Sequence, residues 1–103
     1  MGKVKIVYLD KAIEDIANIS LFIESKGLEQ TAKRYAKSIY DFIDNLNYDK
    51  VYYPLCREIF RRELGLKCVM FKKKYTVVFY QFDDTVIVTQ FVLSKLINVI
   101  SPD

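Results

Sequence analysis

Val4, Ile6 and Tyr8 alternate with Lys3, Lys5 and Val7, the period-two pattern of a short strand over residues 3–9. The period then changes. Between residues 11 and 26, Ile13, Ile16, Ala17 and Ile23 recur at helical spacing, and Ala12 and Ile19 widen the stripe. Asp10 stands where a helix cap belongs, Glu14 and Asp15 complement the positive end of the helix dipole, and Gly27 closes the segment. Ala32, Tyr35, Ala36, Ile39, Ile43 and Leu46 make a second stripe, with Lys33, Arg34, Lys37, Asp41 and Asp44 on the other faces. The short link at Gly27 predicts that the two helices pack antiparallel as a hairpin.

Beyond the helices, "NLNYDKVYYPLC" breaks the period with Asn, Asp and Pro54 and reads as a loop. Residues 66–71 read as a strand, while residues 57–64 fit a strand, a turn or a helical turn. "KYTVVFYQF" and "TVIVTQFVL" are rich in Val, Ile, Thr, Tyr and Phe, so they predict two further strands. Lys72 to Lys74 and Asp83 with Asp84 fall at the two hairpin turns. Strand, helix, helix, then a three-stranded antiparallel meander is an α+β pattern, with the helices on one face of the sheet and the first strand at an edge or beside the later strands. With 103 residues, 3 Gly, 2 Pro and no linker-like run, residues 1–103 are expected to form one domain. The amino terminus lacks the apolar core of a secretory signal and no stretch approaches the length of a bilayer span, so the chain is expected in the cytoplasm. Gly2 lacks the Ser or Thr that myristoylation would want at position 6, where Ile6 stands.

Charge changes this picture in one place. Residues 57–74 hold seven basic and two acidic side chains, although the net charge of the whole chain is only +3, so a local basic surface is expected. The "KKK" run at Lys72 to Lys74 has two readings: a solvated hairpin turn that discourages edge aggregation, or, with Arg57, Arg61, Arg62 and Lys67, a patch for an anionic partner. Histidine is absent, and Cys56 and Cys68 are too few and too far apart for a zinc or CxxC pattern. No metal or cofactor is expected, and both cysteines are expected to pack as small hydrophobes. Ser94 and Thr89 have no histidine to activate them. Glu14 with Asp15 and Asp83 with Asp84 have ordinary local causes, a helix start and a turn. Phe22, Tyr35, Phe42, Phe79 and Phe91 are assigned to the core, and Tyr48, Tyr52 and Tyr53 to an exposed aromatic cluster.

The order of elements, an opening helix with Ala12, Asp15, Ile16, Ile19 and Ile23, and a tyrosine-led hairpin with Tyr75, Phe79 and Asp84 together resemble the RelE/ParE toxins of bacterial type II toxin–antitoxin modules. The resemblance covers nearly the whole chain. It implies a toxin that meets a cognate antitoxin and a cellular target. Ribonucleases of that family are expected to carry two lysines on the strand before the hairpin, an arginine after the tyrosine and a His-x-Arg ending. Here Lys67 matches the first lysine, Val69 stands at the second, Thr76 replaces the arginine, and Leu93 to Lys95 replace the tripeptide. The resemblance therefore favours the ParE branch, whose members bind and poison DNA gyrase. The alternatives are a ribosome-dependent mRNA endonuclease with a rebuilt site and a non-toxic member that binds only an antitoxin. The expected target-binding patch is Arg57, Arg61, Arg62, Lys67, Lys72, Lys73, Lys74 and Lys95. Leu21, Phe22 and Leu28 are the expected antitoxin contacts, and self-association into a homodimer through the same surface is expected without the partner.

Overall fold

The computed structural model describes residues 4–48 and 50–98. Its elements are β1 (Lys5–Tyr8), α1 (Asp10–Glu24), α2 (Glu29–Asp44), α3 (Ile59–Glu63), β2 (Lys67–Phe71), β3 (Tyr75–Phe82), β4 (Thr85–Leu93) and α4 (Ser94–Asn98). The strands form one sheet in the order β1-β4-β3-β2. β2, β3 and β4 are the antiparallel meander, and β1 runs parallel to β4 with Lys5 opposite Thr85 and Tyr8 opposite Val88. This is the α+β arrangement that the periodicity predicts. Among the described residues no helix is long and apolar enough to cross a membrane.

One face of the sheet carries the main core. Ala12 and Ile16 of α1 and Ile39 and Ile43 of α2 pack on Phe71, Val77, Phe79, Val86, Val88 and Phe91. Removing each of the Ile, Val and Phe side chains from water contributes roughly 1.5–3 kcal/mol, which is what holds the amphipathic hairpin against the strands. The stripe of α2 is buried where the spacing places it; that of α1 is narrower than expected, because Ile13 and Ala17 face solvent. Gly27, at φ +81°, supplies the left-handed residue of the turn between the helices. Asp10 is the first helical residue and not the cap; Leu9 holds the cap position without a side-chain bond.

β4 serves both faces of the sheet because of one irregularity. Phe79 pairs with Val88 and Val78 with Gln90, which leaves Thr89 as an extra residue. Such a bulge shifts side-chain alternation by one. Upstream, Val86 and Val88 face the helices; downstream it is Phe91 that faces them, and Gln90 points to the other face. The Thr89 hydroxyl donates to the Val78 carbonyl at 3.1 Å, which fixes the extra residue in place.

The second face is smaller and is covered by the segment that the sequence left open. Cys56 and Val78 are buried there with Leu66, Cys68 and Val92 around them. Cys56 and Cys68 are joined as a disulfide, so the expectation of two separate packing cysteines is corrected: the segment folds back antiparallel, with Leu55 opposite Lys67, and brings the two sulfurs together. Glu58 caps α3 by accepting from the N–H groups of Phe60 (3.2 Å) and Arg61 (3.3 Å). The same carboxylate accepts from the Arg61 guanidinium at 2.7 Å, and Arg61 Nε donates to the Gln90 side chain at 3.0 Å.

The tyrosine loop also differs from expectation. Tyr48 is buried, packs edge-on to Phe79 and Tyr53, and donates its hydroxyl to the Ile43 carbonyl at 2.6 Å, while Tyr52 alone is strongly exposed. A ring this size finds a place in the core because its hydroxyl has an acceptor at the frayed end of α2. Burial pushes the Tyr48 hydroxyl pKa up, with nearby Asp44 and Tyr53 adding to it. Tyr8, which donates to Asp44 at 2.9 Å, is raised by burial first and by that hydrogen bond second.

Candidate functional site

The turn between β2 and β3 is built from three lysines, and its backbone is not that of an ordinary wet loop. Lys74 N–H closes it on the Phe71 carbonyl at 3.2 Å, and Lys72 and Lys73 both lie in the left-handed region, at φ +54° and +62°. Two consecutive residues of this kind normally call for Asn-Gly or Asp-Gly. A Cβ in this region crowds the following carbonyl oxygen and costs about 1 kcal/mol or more per residue. The chain keeps two lysines where glycine or asparagine would be more stable.

The lysines are also placed over aromatic rings. Lys72 Nζ lies 5.5 Å from the Tyr35 centroid and 5.3 Å from that of Phe71, and Lys74 Nζ lies 5.5 Å from that of Tyr75. Their stems cover apolar surface while the ammonium groups stay in water. The Lys74 carbonyl accepts from Ser94 N–H at 2.8 Å, which ties the turn to the start of α4 and so brings Lys95 alongside.

Opposite the turn stands α1. Between them is a groove of about 780 Å³, with Lys72, Lys73, Lys74 and Lys95 on one side and Asn18, Ile19 and Phe22 on the other. Tyr75 and Phe91, stacked at 5.2 Å, and Leu93 form its floor. Phe22 is 64% exposed at the mouth, so its assignment to the core is corrected: it sits on the groove side of α1, away from the sheet. Among the described residues none of the four lysines forms an ion pair. The one carboxylate lining the groove, Asp15, is already engaged. It accepts from Phe91 N–H at 2.9 Å and is bridged by Lys11. That N–H lies beyond the end of β1, where β4 keeps β3 on one side but has no strand on the other, so Asp15 satisfies an edge that would otherwise be bare. Asp15 is thus a clamp between helix and sheet as well as a helix-start charge; its place on the buried face of α1, three residues from Ala12 and four from Ile19, is the sequence signal for that role.

The eight expected cations do not form one patch. Lys72, Lys73, Lys74 and Lys95 share the groove. Arg57 and Arg62 line a separate cleft of about 350 Å³ with Tyr52, Pro54, Leu55 and Cys56. Lys67 lies in another, its Nζ 4.1 Å from the Tyr52 centroid, with Asp83 nearby. Arg61 is held by Glu58 and Gln90 on the second face. Leu21, at 60% exposed, and Leu28, at 49%, are open on the helical hairpin, and of the three expected antitoxin contacts Phe22 alone reaches the groove. Thr76, where the resemblance would place an arginine, is buried with its hydroxyl 2.7 Å from that of Ser94.

Comparison with known proteins gives a likeness of shape without one of sequence. No family model matches the chain. No curated protein sequence matches it either. A chain of the solved structure described as "Chromosomal ParDE TA system from P. aeruginosa" superposes with a TM-score of 0.73, covering 87% of this chain and 95% of that one at 11% identity. At so low an identity the likeness establishes the fold, which is the RelE/ParE-like arrangement that the sequence resembles.

Proposed function

We propose that this chain is the toxin component of a bacterial type II toxin–antitoxin module, ParE-like, which acts in the cytoplasm by binding a cellular target, DNA gyrase by resemblance, and is neutralised by a cognate antitoxin. What supports this above all is the lysine-rimmed groove: four cations with no acidic partner among the described residues, above a floor of Tyr75, Phe91 and Leu93. A surface of that kind suits a peptide segment whose acidic side chains meet the rim while apolar ones fill the floor. Exposed Phe22 extends the floor towards Leu21 and Leu28, which gives a folding-on-binding partner apolar anchors beyond the groove. The fold likeness to a ParDE structure supports the same class of module.

Binding is favoured over RNA cleavage by the residues at the ribonuclease positions. A nuclease needs cations where charge develops on phosphorus and groups to move protons. Val69 and the buried Thr76–Ser94 hydroxyl pair offer neither. The test is regulated expression in a bacterial host with and without the small reading frame beside the gene. Growth arrest with DNA breaks, relieved by the neighbouring product and lost in a Lys72→Ala/Lys73→Ala/Lys74→Ala variant, is the expected result. Cleavage of mRNA within ribosomes would establish the endonuclease instead, and unchanged growth with tight partner binding the non-toxic member.

A further inference from the structure

We propose that the Cys56–Cys68 disulfide is a redox latch that holds the arginine-bearing segment between them over the second face of the sheet. The two cysteines are 12 residues apart, and the chain between them contains α3, Arg57, Arg61 and Arg62. The latch matters because little else holds the cover down. α3 buries none of its own side chains, and Ile59, Phe60 and Leu64 are each more than 60% exposed. The remaining attachments are few: Cys56 packed on Val78 beside Leu66, the buried Glu58, Arg61 to Gln90, Cys56 N–H to the Leu66 carbonyl at 2.9 Å, and a long bond from Cys68 N–H to the Pro54 carbonyl at 3.4 Å. Beneath the cover lie Val78, fully buried, and Val92. Segments with few apolar contacts open first in a native protein, and a covalent tie changes that order.

The surroundings suit exchange. Cys56 is buried whereas Cys68 is only partly so, which makes Cys68 the more accessible end of the bond. Arg57 and Arg62 line the cleft that Cys56 borders, and such neighbours favour the thiolate that must leave. The step balances with a cellular dithiol as reductant. Its thiolate attacks Cys68 Sγ and expels the Cys56 thiolate; its second thiol then displaces the Cys68 thiolate. The dithiol is oxidised to a disulfide, and its two protons pass to the two protein thiols. In a reducing compartment a disulfide is more often a responsive element than a permanent staple. Reduction frees residues 55–64, uncovers Val78 and lets the three arginines leave the sheet. This rests on the cytoplasmic setting of the proposed function but not on toxin activity, since it concerns the face away from the lysine groove.

The test is amide hydrogen exchange by mass spectrometry on the full chain, air-oxidised or reduced with dithiothreitol, with alkylation to count thiols. Amides of residues 56–66 are expected to exchange at least about ten-fold faster after reduction while those of α2 and β4 stay the most protected in both states. Unchanged exchange in that segment after complete reduction overturns the proposal, as does a fall of α2 and β4 protection to the level of that segment, or two free thiols in the oxidised protein. A Gln90→Ala variant removes the main side-chain attachment to β4. It should exchange like the parent when oxidised and faster than the parent when reduced; equal acceleration in both states would place the hold in the Arg61–Gln90 contact and overturn the latch.

Discussion

The lysine turn and the arginine segment are neighbours in sequence and similar in charge, yet they end in opposite situations. Arg61 is held by a buried carboxylate and an amide, and its segment is tied to the sheet by a disulfide. The turn lysines are unpaired among the described residues; Lys72 and Lys74 rest on aromatic rings, and Lys72 and Lys73 occupy a backbone conformation that disfavours them. Charge alone does not distinguish these regions. The difference lies in how each region is held: Arg61 has its counter-charge in Glu58 and fastens the segment, while Arg57 and Arg62, like the turn lysines, form no ion pair among the described residues but line a separate cleft away from the groove.

The largest effect that would break this contrast comes from the disulfide. Replacing Cys56 and Cys68 together by serine should lower unfolding stability by about 3 kcal/mol, from the loop it closes, as read by urea denaturation of oxidised parent and variant. Affinity for an antitoxin segment should stay unchanged; a fall in affinity would mean that the two regions are coupled. Next comes the groove itself. Replacing Lys72, Lys73, Lys74 and Lys95 by alanine should weaken an acidic partner on the order of 100-fold at low salt, and much less at high salt, whereas Arg57→Ala with Arg62→Ala should shift it within about three-fold. Calorimetry on both sets decides, and equal losses would return the arginines to the site.

Asp15→Ala sharpens the same contrast from the floor of the groove. It leaves Phe91 N–H without its acceptor and should cost about 1–3 kcal/mol of stability, visible as a lower denaturation midpoint. A smaller effect of opposite sign follows from the turn. Lys72→Asn with Lys73→Gly should stabilise the fold by about 1 kcal/mol while weakening the partner, because it relieves two left-handed residues and removes two charges. A variant that gains stability without losing affinity would show that the turn is only solvated. Alkaline pH gives the smallest test. Tyr8 and Tyr48 have raised pKa values in the folded state, so the unfolded chain releases its protons first once pH exceeds the ordinary tyrosine value of about 10. Stability is therefore full below that pH and falls above it as pH climbs towards the folded-state values, with a shallower fall in Tyr8→Phe.

Much of the architecture is written in local periodicity. α2 buries the residues its spacing selects, and β3 and β4 lie where the β-rich runs place them, because one face of each must meet the core. What the sequence leaves open depends on partners distant along the chain. Residues 57–64 become a helical turn because Glu58 finds two backbone donors and Arg61 finds Gln90, 29 residues away. Tyr48 is drawn inward by the Ile43 carbonyl and Phe79, although its own neighbours read as a polar loop. The lysine run is conspicuous in sequence, but its groove needs α1 set against it, and that placement depends on Asp15 reaching Phe91 across 76 residues.

The extra residue at Thr89 gives β4 two independent grammars. Upstream of it the strand answers to the helices through Val86 and Val88; downstream the same strand presents Phe91 to the groove and Gln90 to the arginine cover. The two halves of that strand therefore answer to different neighbours: one is set by helix packing through Val86 and Val88, the other by the Asp15 clamp on Phe91 and by the Arg61 contact to Gln90.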